Sequence, residues 1–397
     1  MPAKLALHGG RPVRTADFPI WPVSGPREED LVRKVLFSSQ WGGYHEYVAE
    51  FETLFAGLHD ASHGISVANG TLALELMLSA AGIGPGDEII VPAHSFIATA
   101  TAVSRVGATP VFVDIDRDTF NIDPREVEKA VGSKTRGVVV VHFAGLVADM
   151  DDFQRVAKNF KLQLFEDAAH AHGAEWNGGR AGGFGRASTF SFQNSKAMTA
   201  GEGGILLTSD DDLAARARSL ANGGRLPDHG WFEHFELGSN FRLTGLQAAV
   251  LMGQLDRLPE QIRTRSENRR VLDQNHTVPG VQFQTWPDAA TVHTHYILPG
   301  RIDETELGCS RDEFLAALQA EGIPARPYYP HPLQKNPLYR TTPKRTLPCP
   351  VAEQACKDSF WLPQRVLLGS EADVLDVTTA IRKIYEVFKP PKKQTIQ

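Results

Sequence analysis

The stretch FSFQNSKAMTAGEGG, residues 190 to 204, sets one lysine, Lys196, between a strand-like run containing Phe190 and Phe192 and a loop closing on Gly201, Gly203 and Gly204. A lysine in so crowded and partly apolar a place is costly to keep charged, and its amine can form a Schiff base with an aldehyde. Two further stretches could complement it. In LFEDAAHAHGA, Asp167 directly follows a buried-strand pattern and so stands at a strand's carboxyl end. A carboxylate there can keep a ring nitrogen cationic by short-range attraction, although a lone Asp in this position is more often a helix cap or an ion-pair partner. His170 could donate to a ring oxygen, and taken alone it reads as an ordinary structural histidine. In VANGTLALELM, Asn69, Gly70 and Thr71 open a helix whose first-turn amides could receive a phosphate. Without the other stretches, the triplet reads first as a plain N-cap by Asn69 or Thr71. Phe96, in VPAHSFIATA, could stack on a flat ring or simply fill core. A lysine amine, a phosphate cradle and an acid for a pyridine nitrogen are together what pyridoxal 5'-phosphate requires.

The elements that must position these residues are legible as pattern. EIIVP, PVFVD, GVVVVHF, LQLFED, TFSF and ILLTS read as buried strands. TLALELMLSAAG, FIATATAVSRVG, MDDFQRVAKNF and DDLAARARSLANGG read as helices, the first two ended by Gly82 and Gly107. Continuous β-branched runs separated by helices imply an α/β fold with a mostly parallel central sheet covered on both faces, and in such sheets ligands bind beyond the carboxyl ends of the strands. LTGLQAAVLMGQLDRL begins a long helical connector expected to break at Pro259. The division expected is residues 1–255 for an N-terminal segment and the large α/β domain, and 256–397 for a smaller α+β domain whose tail, KPPKKQTIQ, is mobile.

Composition bounds the function classes. A charged fraction of 22% and a hydrophobic fraction of 42% are those of a soluble globular protein. The net charge of -6 with no long basic run argues against a dedicated nucleic-acid binder. Apolar runs such as Val138 to Val141 are far short of a membrane span, and MPAKLALHGGRPVR has no signal core, so the expected location is the cytoplasm. Cys309, Cys349 and Cys356 show no CxxC spacing, which favours free thiols over a disulfide or metal site. GGRAGGFG follows a polar turn, not a strand leading into GxGxxG, which weakens a nicotinamide dehydrogenase reading.

Over most of its length the chain resembles the fold type I pyridoxal-phosphate enzymes, and within them the DegT/DnrJ/StrS-type aminotransferases of sugar and aminocyclitol biosynthesis. The segments that carry the resemblance include NGTLALEL, GPGDEIIVPAHSFIATA, EDAAHAHGA, FSFQNSKAMTAGEGG, GSNFRLT and PARPYYPHPLQKNPLY. The EDxAxxxG and FSFxxxKxxTxGEGG pair at this separation is specific; NGT alone is not. The resemblance implies that Lys196 is the Schiff-base lysine and proton shuttle and that Asp167 partners the pyridine nitrogen. It implies that His170 meets the phenolic oxygen, where many relatives carry Gln, and that Gly70, Thr71 and Ser191, beside Asn69, hold the phosphate. Phe96 would stack on the ring. Asn240 would reach the phosphate bound by the neighbouring subunit, which implies a homodimer with shared active sites.

Two branches compete for the substrate. Several segments look like 3-amino-5-hydroxybenzoate synthases, which dehydrate and aromatise an amino-cyclohexenone, whereas PYYPHPLQKNPLY is similar to glutamine-dependent aminotransferases acting on inosose rings. Pro363 and Gln364 depart from the synthase pattern, which has a His pair there, and Arg186 stands where much of the family has Asp. The expected reaction is therefore transfer from L-glutamine or L-glutamate to a keto-cyclitol or keto-sugar. Tyr328, Tyr329 and His331 are expected at the substrate mouth, or else as packing between domains. A non-catalytic, cofactor-binding regulatory protein is the reading from another class. No metal is expected.

Overall fold

The computed structural model describes residues 4–391, so the tail expectation lies, from residue 392 onward, outside the described residues. After two helices, α1 (Pro26–Ser38) and α2 (Glu46–Leu58), strands and helices alternate. The series runs β1 (His63–Val67), α3 (Gly70–Ala80), β2 (Glu88–Pro92), α4 (Ala98–Arg105) and β3 (Thr109–Val113). It continues through α5 (Pro124–Ala130), β4 (Thr135–Val141), α6 (Met150–Phe160), β5 (Gln163–Asp167), β6 (Ala187–Ser191), β7 (Gly204–Thr208) and α7 (Asp211–Ala221). A long helix, α8 (Gly245–Asn275), leads to β8 (Val281–Phe283), β9 (Ile297–Ile302), α9 (Arg311–Ala320) and β10 (Arg326–Pro327). The chain closes with β11 (Arg345–Thr346), α10 (Pro350–Asp358), β12 (Ser359–Pro363) and α11 (Glu371–Phe388).

The large sheet has the order β1-β7-β6-β5-β4-β2-β3-β11, parallel throughout except where β7 runs against its two neighbours. Its central strands β2, β3 and β4 carry apolar runs because each feeds two cores. In β4, Val138 and Val140 enter one buried cluster and Val139 the other, as the two-residue period of a strand dictates. The smaller sheet, β8-β9-β12-β10, is antiparallel.

One sequence expectation fails here. α8 runs through Pro259 without ending. A proline inside a helix loses one backbone hydrogen bond and crowds the preceding turn. That cost is offset by packing, for α8 lies against α1, α2 and α11 and buries Leu258, Arg265 and Leu272. The helix therefore crosses residue 255, and Leu5 and Phe18 from the N-terminal segment pack into the core built by β8, β9, β12 and α11. The three cysteines are buried, free thiols, and burial pushes those of Cys349 and Cys356 up to about 12. Among the described residues there is no cluster of metal-ligating side chains, and no helix is long and apolar enough to cross a membrane.

Candidate active site

The sheet delivers the chemistry to one edge. Asp167, the last residue of β5, pairs with Thr189 in β6, so Asp167 and Ser191 emerge side by side at the carboxyl ends of parallel strands. On the other flank of β6, Gly204 pairs with both Ser191 and Val67. A Cβ on Gly204 would lie 2.5 Å from the carbonyl carbon of Asn69, so glycine is needed there for the start of α3 to settle against the sheet. These elements open onto a cavity of about 820 Å³.

At the base of that cavity, α3 is capped by Asn69, whose side chain accepts from Leu72 N–H at 2.9 Å. The first-turn amides of Gly70 and Thr71 have no partner within the helix. A Cβ on Gly70 would stand 2.7 Å from the Cβ of Ser191. The Ser191 hydroxyl accepts only a long bond, 3.4 Å, from Gln193 N–H. Two amides at a helix N-terminus and an uncommitted hydroxyl form a cradle of the size and polarity of a phosphate.

Asp167 is 5% exposed. Its Oδ2 accepts from the Thr99 hydroxyl at 2.7 Å and its Oδ1 from Ala169 N–H at 3.2 Å. Burial pushes this carboxyl above its ordinary range, opposed by those two donors and by the Lys196 charge. His170 is also buried. Its Nδ1 accepts from Ala144 N–H at 3.3 Å, which leaves the proton on Nε2, free to donate. Burial, together with the nearby Lys196 charge, holds this imidazole well below its usual range, so it stays neutral.

Lys196 is half-buried in the turn after β6, with Nζ 4.6 Å from the centroid of the Tyr296 ring. The His170 ring lies 4.4 Å from the same ring, and the Tyr296 hydroxyl bonds Ser195 Oγ at 2.8 Å. Phe96, exposed just before α4, also lines the cavity, as do Tyr328, Tyr329 and Trp361. Of the residues singled out from sequence, two lie elsewhere. His331 is exposed and does not line the cavity. Asn240 is exposed too, its Oδ1 accepting weakly from Arg242 N–H at 3.4 Å.

A model of the DegT/DnrJ/EryC1/StrS aminotransferase family matches residues 23–382. The chain belongs to this family. Its relatives include the L-glutamine:2-deoxy-scyllo-inosose aminotransferase of Streptomyces fradiae, 37% identical over 97% of this chain and 98% of that one. The 3-amino-5-hydroxybenzoate synthase of Amycolatopsis mediterranei (strain S699) is 37% identical over 91% of this chain and 95% of its own. A crystal structure of 3-amino-5-hydroxybenzoic acid synthase superposes with a TM-score of 0.89 at 36% identity, covering 94% of this chain and 99% of the other. The α/β fold with its large, mostly parallel sheet is that of this aminotransferase family.

Membership of the aminotransferase family does not exhaust the site. Thr99, Ser95, Tyr296 and Trp361 line or support the cavity and were not reached from sequence. Thr99 carried a faint signal, lying on the face of α4 one turn after Phe96. Tyr296 and Trp361 carried none, since only the β9–β12 pairing brings them over the large sheet.

Proposed function

We propose that the protein is a pyridoxal-phosphate aminotransferase that moves an amino group from L-glutamine or L-glutamate to a keto-cyclitol or keto-sugar, acting as a homodimer with shared active sites. The observation that carries this reading is the convergence of the Lys196 amine, the buried Asp167 carboxyl and the open amides of α3 on one cavity. When bound, the cofactor supplies an aldehyde for amine exchange and a ring that accepts electrons from the substrate's α-carbon.

The chain's own groups do the rest. The Gly70 and Thr71 amides and the Ser191 hydroxyl would hold the phosphate, with Asn69 keeping that helix start in place. Asp167 would pair with the ring nitrogen and keep it cationic; a cation there would in turn favour the carboxylate over the protonated acid. His170 would offer its Nε2–H to the ring oxygen. Phe96 would offer its ring for stacking on the cofactor. Lys196 would anchor the cofactor through its amine and, once freed, would take up the proton that leaves the donor's α-carbon.

Tyr328, Tyr329 and Trp361 offer the acceptor an apolar face with hydroxyl and indole edges, suited to a polyol ring. At the mouth, the Arg105 guanidinium is already paired with Glu75. That pairing supports a free cyclitol over a nucleotide-linked sugar, whose diphosphate would need an uncommitted cation. His331 is outside this wall and joins the acceptor site only if the partner subunit reshapes the mouth. Asn240 lies beside a strongly exposed apolar segment in which Phe232 is 86% and Leu237 101% exposed. Such a surface fits burial against a second copy, with Asn240 presented to the partner's phosphate.

A second reading, dehydration and aromatisation in the manner of the synthase, is favoured by the equal identity to that relative. The visible spectrum of the protein loaded with pyridoxal phosphate, recorded before and after L-glutamine or L-glutamate, separates the two. Bleaching of the band with release of pyridoxamine phosphate is the expected result. A band indifferent to both donors moves the synthase reading forward, and no band at all removes the cofactor assignment.

A further inference from the structure

Lys196 belongs to no strand or helix; it sits in the turn that follows β6. Its own N–H donates to the Gln193 carbonyl at 2.9 Å. The carbonyls of Ser195 and Lys196 are held from outside the turn. Both accept from Nε2 of Gln364, each at 2.9 Å. Gln364 follows β12 and is 3% exposed, and its amide is not free to turn over. Its Oε1 accepts from Nη1 of Arg265 at 3.0 Å, and Arg265 is fully buried on α8 with Nε donating to the Thr294 carbonyl at 2.7 Å. A guanidinium can only donate and a peptide carbonyl can only accept. The amide therefore has one permitted orientation, oxygen toward Arg265 and both N–H bonds toward the lysine turn. Thr294 extends the network, its hydroxyl donating to the His170 carbonyl at 3.2 Å.

We infer that Gln364 is a positioning residue for the Lys196 amine, fixing the main chain from which that amine is aimed into the cavity. The inference rests on the aminotransferase reading and deepens it. A lysine side chain has several freely rotating bonds, and a turn without ladder hydrogen bonds is soft, so accuracy at Nζ has to be supplied by anchoring its backbone. The chemistry of the position is selective. Glutamate could satisfy Arg265 but has no proton for either carbonyl when ionised, and histidine has one N–H to share between two. Glutamine is the side chain that accepts once and donates twice.

The test uses Gln364→Glu and Gln364→His in the protein loaded with pyridoxal phosphate. Gln364→Glu keeps an acceptor for the buried guanidinium and adds an ion pair, while removing both donors to the lysine turn. The expected results are faster backbone hydrogen exchange confined to residues 193–198, a displaced pH midpoint of the visible absorption, and a slower donor half-reaction. A misplacement of about 1 Å costs on the order of 10²-fold in rate, so single-turnover reaction with L-glutamine should slow by roughly 10- to 100-fold while its KM stays within about twofold. Gln364→His should fall between parent and Gln364→Glu on each readout. Wild-type exchange and an unmoved pH midpoint in Gln364→Glu overturn the inference whatever the rate does. Should that variant fold poorly, the same readouts on Gln364→His decide. Failure of the unaltered protein to develop a visible band at all would sink the aminotransferase reading before any variant is compared, so the two failures remain distinct.

Discussion

At the scale of single residues, burial presses on the ordinary charge states of Asp167 and His170, and Lys196 stands beside them. Lys196→Ala removes the one lysine among the described residues that line the cavity and should abolish turnover while leaving the denaturation midpoint essentially unchanged, because the side chain is half-buried and makes no hydrogen bond that the core depends on. Retained transamination in that variant would refute its role. Asp167 shows the opposite balance. Burial raises its carboxyl above the reference value of 3.8, so the protonated acid stabilises the cofactor-free fold fully below that value, and this contribution is lost as the pH climbs through the raised one. Asp167→Asn stays neutral throughout. The variant without cofactor should therefore melt higher than its parent at neutral pH, with the gap closing toward pH 3.8, and should lose activity on the order of 10²- to 10³-fold. Melting curves of both proteins across pH check the first half, and a variant melting below its parent at neutral pH would overturn it.

At the scale of elements, two placements position the site. Gly70 at the start of α3 allows the helix to approach β6, and an added Cβ would meet the Ser191 side chain. Gly70→Ala should push these elements apart, destabilising the fold by about 1–3 kcal/mol as overpacking does and weakening cofactor retention more than ten-fold, or about 1.4 kcal/mol. Equilibrium dialysis of pyridoxal phosphate reads the second effect; unchanged affinity would show that α3 is not the phosphate cradle. Behind β5, Glu166 is fully buried and receives Gly182, Phe184 and Gly185 amides at 2.7 to 2.8 Å, with His142 Nε2 at 2.8 Å. The acid beside Asp167 in the sequence thus organises the loop before β6 and faces away from the cavity. Glu166→Ala strands three amides, and at about 1–3 kcal/mol each the loss should be about 3 kcal/mol or more, read from a denaturant midpoint.

At the scale of the whole molecule, one copy leaves the exposed apolar segment and Asn240 outside its own cavity. A homodimer with shared sites makes a specific demand. Mixing inactive Lys196→Ala with Asn240→Ala should restore activity through hybrid dimers, in which one site receives both Lys196 and its partner's Asn240. Random exchange puts about half of the dimers in the hybrid form with one good site of two, so about a quarter of the parent activity should return. A monomer by light scattering, or no activity beyond that of Asn240→Ala alone, argues against the shared arrangement.

The sequence by itself determined the sheet and the kinds of group at its edge. Buried runs such as Val138 to Val141 must be covered on both faces, and Asp167 ends and Lys196 follows a strand pattern, which places them at carboxyl ends without any knowledge of neighbours, whereas the strand His63–Val67 before Asn69 was not legible. What strand order brings together was not local information. The Asp167–Thr99 bond spans 68 residues, the Lys196–Tyr296 stack about a hundred, and the Gln364 bonds to the lysine turn more than 160. Pro259 was misjudged for the same reason, since a local rule about proline is outweighed by burial that only the folded molecule provides. Periodicity and composition act within one segment, whereas the partner of a buried polar group is chosen by whichever segment the core packs against it; that choice exists only in the tertiary structure.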